Sequence, residues 1–319
     1  MIAGDDIVDL VDRIDFKSSI HVRAPSPVIM LCGGKYDAKN LTPVSLREAF
    51  THIYQKPELA SYNTVMPEDF RVFAPHGQYT DILRFESEFA EIVDLVLLFS
   101  ESYGSVSELG AFSMVDEIAV RLLVIMDDEN YQDDSFIKLG PLRYLENKFG
   151  AEAVCVLNRK DLKIASIKDI KGLDINTFSE RMIPAIAARK AQHHEHTTFN
   201  KNRAGHVIKF IVGLIQHYGA LTIEEIDVLL YACEVSVDYN KLSDYLLCAI
   251  SAGWVNKDRR GFVTYYCALP QMFEAISYKL LKLNPFEDKV RWRARVSDYW
   301  MREDKARFGC IQDALRSGV

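Results

Sequence analysis

Cysteine is scarce in this chain of 319 residues, and Cys32, Cys155, Cys233, Cys248, Cys267 and Cys310 lie far apart without a Cys-x-x-Cys pair. That spacing excludes a zinc ribbon and a disulfide framework, and it points to reduced thiols in a cytosol. No apolar run approaches the roughly 18 residues a membrane helix needs. The opening Gly4-Asp5-Asp6 is acidic where a secretory leader would be basic. The expectation is therefore a cytoplasmic protein with no membrane contact. A surplus of positive charge is missing as well, the net charge being -7. Any nucleic-acid role must then come from a local patch or a shared complex. There is no internal repeat and no low-complexity tract. At 49% hydrophobic and 26% charged, the composition suits a full core, and the length suits two domains.

What is present is an alternation of strands and helices. Helical spacing of Ile7, Leu10, Val11 and Ile14 predicts a short helix over 5–16. The run Val-Ile-Met-Leu-Cys-Gly-Gly at 28–34 reads as a buried strand entering a tight loop. Helices are expected over 42–56 and 80–93, with a short strand at 72–75. The most hydrophobic strand, Leu-Val-Leu-Leu-Phe at 95–99, runs into the polar loop 100–105. Further strands are expected at 122–126 and 153–157. This order implies a doubly wound parallel α/β sheet, in which ligands bind at the carboxyl ends of the strands. Residues 161–204 are charged and weakly patterned. Beyond them come three helices and a hairpin over 253–266 with a basic, glycine-closed turn, which is the order of a mostly helical winged-helix domain. Lys257, Arg259 and Arg260 in that turn fit a wing touching phosphates, or equally a solvated turn.

The segment Glu-Ser-Tyr-Gly-Ser-Val-Ser-Glu-Leu-Gly-Ala-Phe at 101–112 carries the chemistry. It places Glu108 in the first turn of a helix facing the ligand edge. A carboxylate there can attack an anomeric carbon through an oxocarbenium-like transition state. Gly104 and Ser105 would let a sugar or phosphate approach the backbone N–H groups. The competing reading makes Ser105-x-x-Glu108 a capping box, with Glu108 satisfying a backbone donor. His193-His-Glu-His196 has metal-ligand chemistry, but three adjacent ligands rarely share one face, so no metal site is expected.

The run at 104–112, with Ile29-Met-Leu-Cys-Gly-Gly34 upstream, resembles the nucleoside 2-deoxyribosyltransferase family. More closely, the chain resembles effector toxins of bacterial retrons that join such a domain to a winged helix. Three segments carry this likeness: 31–34, 99–113 and 135–145. The resemblance implies Glu108 as nucleophile and Glu86 as an acidic residue that orients it or meets the base. It also implies a substrate cradle of Cys32, Gly33, Gly34, Ser102, Gly104 and Ser105. The chain departs from the transferases in two places, having Ser102 for an Asp and Met30 for a Tyr. Without a carboxylate at Ser102, a 5′-phosphate meets less repulsion, which favours nucleotides or NAD over free nucleosides. Nicotinamide leaves NAD neutral, so its departure needs no general acid; His76 is the nearest histidine to the motif in sequence.

The expected plan is a helical arm over 1–27 and a nucleoside deoxyribosyltransferase-like N-glycosidase domain over 28–160. A helical connector over 161–204, a winged helix over 205–270 and a basic helical tail over 271–319 complete it. The expected activity is N-glycosidic hydrolysis of NAD or a nucleotide as substrate, with no cofactor. The resemblance implies a reverse transcriptase and its RNA-linked multicopy DNA as partners; further copies of the chain are left open. The alternative is a nucleotide-sensing, DNA-binding regulator with an inactive pocket.

Overall fold

In the computed structural model, residues 20–37, 39, 42–69, 79, 81–192, 197–279 and 289–317 are described. The helix expected over 5–16, the strand expected at 72–75, His76 and the 193–196 cluster lie outside them. The chain forms two compact units: 27–71 with 89–193, and 1–26 with 72–88 and 194–319.

The first unit is built on five parallel strands. They are β1 (Val28–Cys32), β2 (Asn63–Val65), β3 (Leu95–Phe99), β4 (Leu122–Asp127) and β5 (Val154–Leu157), in the order β2-β1-β3-β4-β5. Every side chain of β1, β3 and β4 is buried, which is why these strands read as unbroken apolar runs. On one face Ile29, Leu31, Leu95, Leu97, Phe99, Leu123 and Ile125 share a core with Leu46, Phe50 and Ile53 of α1 (Leu46–Ile53). Their odd numbering is the period-2 signature of one sheet face.

Two elements differ from expectation. Strand β2 is only Asn-Thr-Val, too short and polar to signal itself; it is held because Ile29 and Met30 pair with Thr64 and Val65. Within the weakly patterned stretch lies the 16-residue helix α5 (Ile175–Lys190), counted after α2 (Ile82–Ala90), α3 (Tyr103–Ser113) and α4 (Arg143–Phe149). Its Phe178, Met182 and Ile186 complete the core. The fourfold spacing of these residues was diluted by charged neighbours. Near its end Arg189 is buried, donating to the carbonyls of Leu122, Ala119 and Val120 at 2.8–3.0 Å; burial lowers its pKa to about 10.

Order in the sheet sets where a ligand goes. With β1 central and β2 and β3 on either side, the chain reverses its winding between β1 and β3. In this strand order the crevice lies at their carboxyl ends. There stand Gly33 and Gly34 after β1, and Glu101 and Ser102 after β3.

The second unit is mainly helical. It contains α6 (Ala204–Tyr218), strand β6 (Ala220–Leu221), α7 (Ile223–Ala232), α8 (Tyr239–Ser251), and the hairpin of β7 (Val255–Arg260) and β8 (Val263–Ala268). The three strands form an antiparallel sheet in the order β6-β8-β7. Thr222 and Glu225 close a capping box at the start of α7, as their spacing predicts. Helices α9 (Lys289–Glu303) and α10 (Lys305–Arg316) follow. Strands 21–22, 197–198 and 276–277 pair in a second small sheet with 21–22 at its centre. Among the described residues no helix is long and apolar enough to cross a membrane, no His/Cys/Asp/Glu group could hold a metal, and all six cysteines are free.

Candidate active site

Two buried carboxylates shape the loop after β1. Glu101 is 8% exposed and accepts hydrogen bonds from the N–H groups of Gly34 (2.9 Å), Leu46 (2.7 Å) and Arg47 (3.2 Å). Leu46 and Arg47 open α1, so Glu101 sits where free helix donors favour an anion. Burial nonetheless raises its pKa, with the three N–H groups and the Arg47 charge opposing. Glu48 takes the N–H groups of Asp37 (3.1 Å) and Val44 (2.6 Å). The paired glycines are explained by this packing. A Cβ on Gly34 would lie 2.7 Å from the Glu101 carboxylate, and one on Gly33, at φ +154°, 2.8 Å from Phe99 Cβ.

Around this loop opens a cleft of about 560 Å³, lined among others by Gly33, Gly34, Tyr36, Arg47, Glu68 and Ser102. Arg47 is 4% exposed. Its Nη1 pairs with Glu68 at 2.5 Å, while its Nε is buried with no hydrogen-bond partner. Glu108 is half-buried, and its Oε2 is buried and likewise unpartnered. Glu108 does not line the cleft. It is charge-coupled to two residues that do: burial raises its pKa, Glu68 adds to the rise, and Arg47 opposes it.

The capping reading of Glu108 is overturned. Ser102, with extended backbone, is the N-cap of α3, and it closes a capping box with Ser105. The helix therefore begins one turn earlier than Ser105-x-x-Glu108 required, and Glu108 falls in the second turn, not the first. No backbone donor needs its carboxylate.

The other predicted residues divide. Gly33, Gly34 and Ser102 line the cleft. Cys32 is buried at the end of β1, and Gly104 is exposed. Ser105 is 1% exposed; its hydroxyl accepts from the N–H groups of Glu101 (3.1 Å) and Ser102 (2.9 Å), so it holds the loop and offers nothing to a ligand. Glu86 is buried on α2, within the helical unit, and is not among the residues gathered at this cleft. Arg47, Glu68 and Glu101 escaped sequence reasoning. Only Glu101, a carboxylate directly behind the most buried strand, left a readable signal.

In the helical unit Lys257 and Arg259 are exposed on β7. Arg260 is tied to Asp258 (2.7 Å) and Asp313 (2.6 Å).

The chain is similar to known proteins over part of its length. One relative, a protein of Escherichia coli retron Ec86 named for ribosyltransferase and DNA-binding roles, is 36% identical over 137 residues, 42% of each chain. A similarly named protein of Escherichia coli retron Ec73 is 24% identical over 146 residues, 43% of this chain and 46% of that one. The matched stretches thus span less than half of either relative. A family described as STM3845 retron effector protein matches residues 43–257, two thirds of the sequence. The chain belongs to the STM3845 retron effector family.

Proposed function

We propose that this retron effector is a toxin of an anti-phage system that hydrolyses an N-glycosidic bond, with NAD the first candidate substrate and nucleotides the next. The observation that carries the reading is Glu108 Oε2, a buried carboxylate oxygen with no hydrogen-bond partner beside the Arg47–Glu68 pair. Leaving a buried polar atom unsatisfied costs on the order of 1–3 kcal/mol. A buried polar atom left so calls for an explanation, and a catalytic role is one.

On this reading the Glu108 carboxylate, which does not line the cleft in this structure, enters it and attacks C1′ of the ribose as the C1′–N bond breaks. Cationic nicotinamide takes the bonding pair and leaves neutral, so no proton is required. Water then attacks C1′ of the glycosyl ester and gives up a proton to solvent, regenerating the carboxylate and releasing the sugar with retained configuration. Poor solvation of the ionised carboxylate makes it the stronger nucleophile. The parallel sheet with its crevice after β1 and β3 supports a nucleoside deoxyribosyltransferase-like domain. The order α6-β6-α7-α8-β7-β8 supports a winged helix. A reverse transcriptase and its RNA-linked DNA are the partners this reading proposes, holding the toxin silent.

The names of both relatives include DNA binding, which favours a second reading, a nucleotide-sensing regulator. Purified protein and Glu108→Gln, incubated with NAD and a nucleotide panel, separate the two. Loss of base release and of toxicity in the variant, with the fold intact, supports the enzyme. Tight binding of a defined duplex, unchanged in the variant and without base release by either protein, supports the regulator.

A further inference from the structure

We propose that Arg47 is the anchor for a phosphate or diphosphate group of the substrate and that Glu68 occupies it as a displaceable stand-in. This rests on the cleft being the substrate site, and it adds the chemical class that the site selects.

The guanidinium has five donors in a rigid fork suited to paired oxygens. Here one arm, Nη1, meets a single Glu68 oxygen, and the fork it shares with Nη2 is only half used. The Arg47 side chain is 5% exposed and cannot turn to water; that of Glu68 is 55% exposed and can. The Glu68 carboxylate is rehydrated when it returns to solvent, and the arriving phosphate takes its place on the buried guanidinium. A phosphate gripping the terminal fork, Nη1 with Nη2, would put two charge-assisted bonds where Glu68 makes one. The site therefore favours exchange of one anion for another with more oxygens. Lys35 lines the same cleft and offsets Asp37, which also lines it, while Ser102 adds no opposing charge there. Arg47 is also fixed from behind, since its own N–H is held by Glu101. The anchor is thus positioned before any ligand arrives, which lowers the cost of binding.

Calorimetric titration of the full chain with inorganic pyrophosphate tests the anchor without any turnover. ADP-ribose and adenosine, titrated into Glu108→Gln, compare ligands with and without phosphate. Glu68→Gln is expected to bind pyrophosphate and ADP-ribose several-fold more tightly than its parent. Arg47→Lys, which keeps the charge and loses the fork, is expected to bind them at least about tenfold more weakly. Adenosine binding should move in neither case. Glu68 is exposed, so its variant remains informative even where Arg47→Lys folds poorly. The anchor is refuted when Glu68→Gln leaves phosphate affinity unchanged or weaker, or when no form binds pyrophosphate. Base release by Glu108→Gln would overturn the nucleophile while leaving the anchor result intact, so the two failures are distinct.

Discussion

Two buried arginines, one in each unit, meet their carboxylates in opposite ways. In the helical unit, Glu225 receives both arms of Arg307 at 2.9 and 2.7 Å, and Arg307 Nε reaches Asp304 at 3.1 Å. The guanidinium also lies 3.8 Å above the Trp300 ring. Nothing in that arrangement is left to bind a ligand, and its work is to join α7 to α10. In the sheet unit, Glu101 is satisfied by three backbone N–H groups, while Glu108 keeps an oxygen and Arg47 a donor without partners. A buried charge that is fully met holds a fold together. One left partly unmet, next to a cleft, is available for chemistry.

The largest effect should come from unbalancing the satisfied pair. Arg307→Met strands Glu225, and should lower unfolding free energy by about 3–5 kcal/mol, whereas Glu225→Met with Arg307→Met should cost far less. Urea titrations of both variants measure the gap; equal losses would dissolve the contrast. Next comes Glu101→Gln, whose amide would turn N–H donors towards N–H donors already aimed at it. A cost of about 1–3 kcal/mol is expected, again read by urea.

A smaller effect sharpens the unsatisfied side. A nucleophile must be ionised, so the acid limb of hydrolysis should lie above the ordinary carboxylate range, because burial and then Glu68 raise the pKa of Glu108. Glu68→Gln removes the like charge and should move that limb to lower pH, by less than about one unit. An upward or absent shift in a pH–rate profile would show that Glu108 is not the titrating group. Smallest is the wing. If β7 and β8 touch phosphates, Lys257→Ala and Arg259→Ala should each lower the salt slope of nucleic-acid binding by about one. Arg260→Ala should lower it less, since that side chain is already paired with Asp258 and Asp313.

The sequence showed most of what is written in contiguous, fully buried elements. Strands β1, β3 and β4 are continuous apolar runs, and the helix–hairpin order of the second unit follows from its apolar spacing and a glycine turn. What it hid was assembled across distance or written in few residues. Strand β2 is three residues long; Arg47 and Glu68 have no local signature and meet only because α1 and the turn after β2 reach the same crevice. The start of α3 was misplaced for a different reason. Ser102 and Ser105 are both capping residues three apart, and nothing in their identity says which one turns the chain.

Glu108→Gln provides the most direct measurement, with hydrolysis and stability read on the same preparation. Since the folded pKa of Glu108 is raised, its contribution is fully present below the unfolded-state pKa and lost as pH rises through the folded value. Replacing it should therefore leave stability at neutral pH equal or higher, while base release from NAD falls by at least about a thousandfold, roughly 4 kcal/mol on the barrier. A variant that hydrolyses at the parental rate, or one that unfolds because Glu108 was holding the helix, would contradict the account.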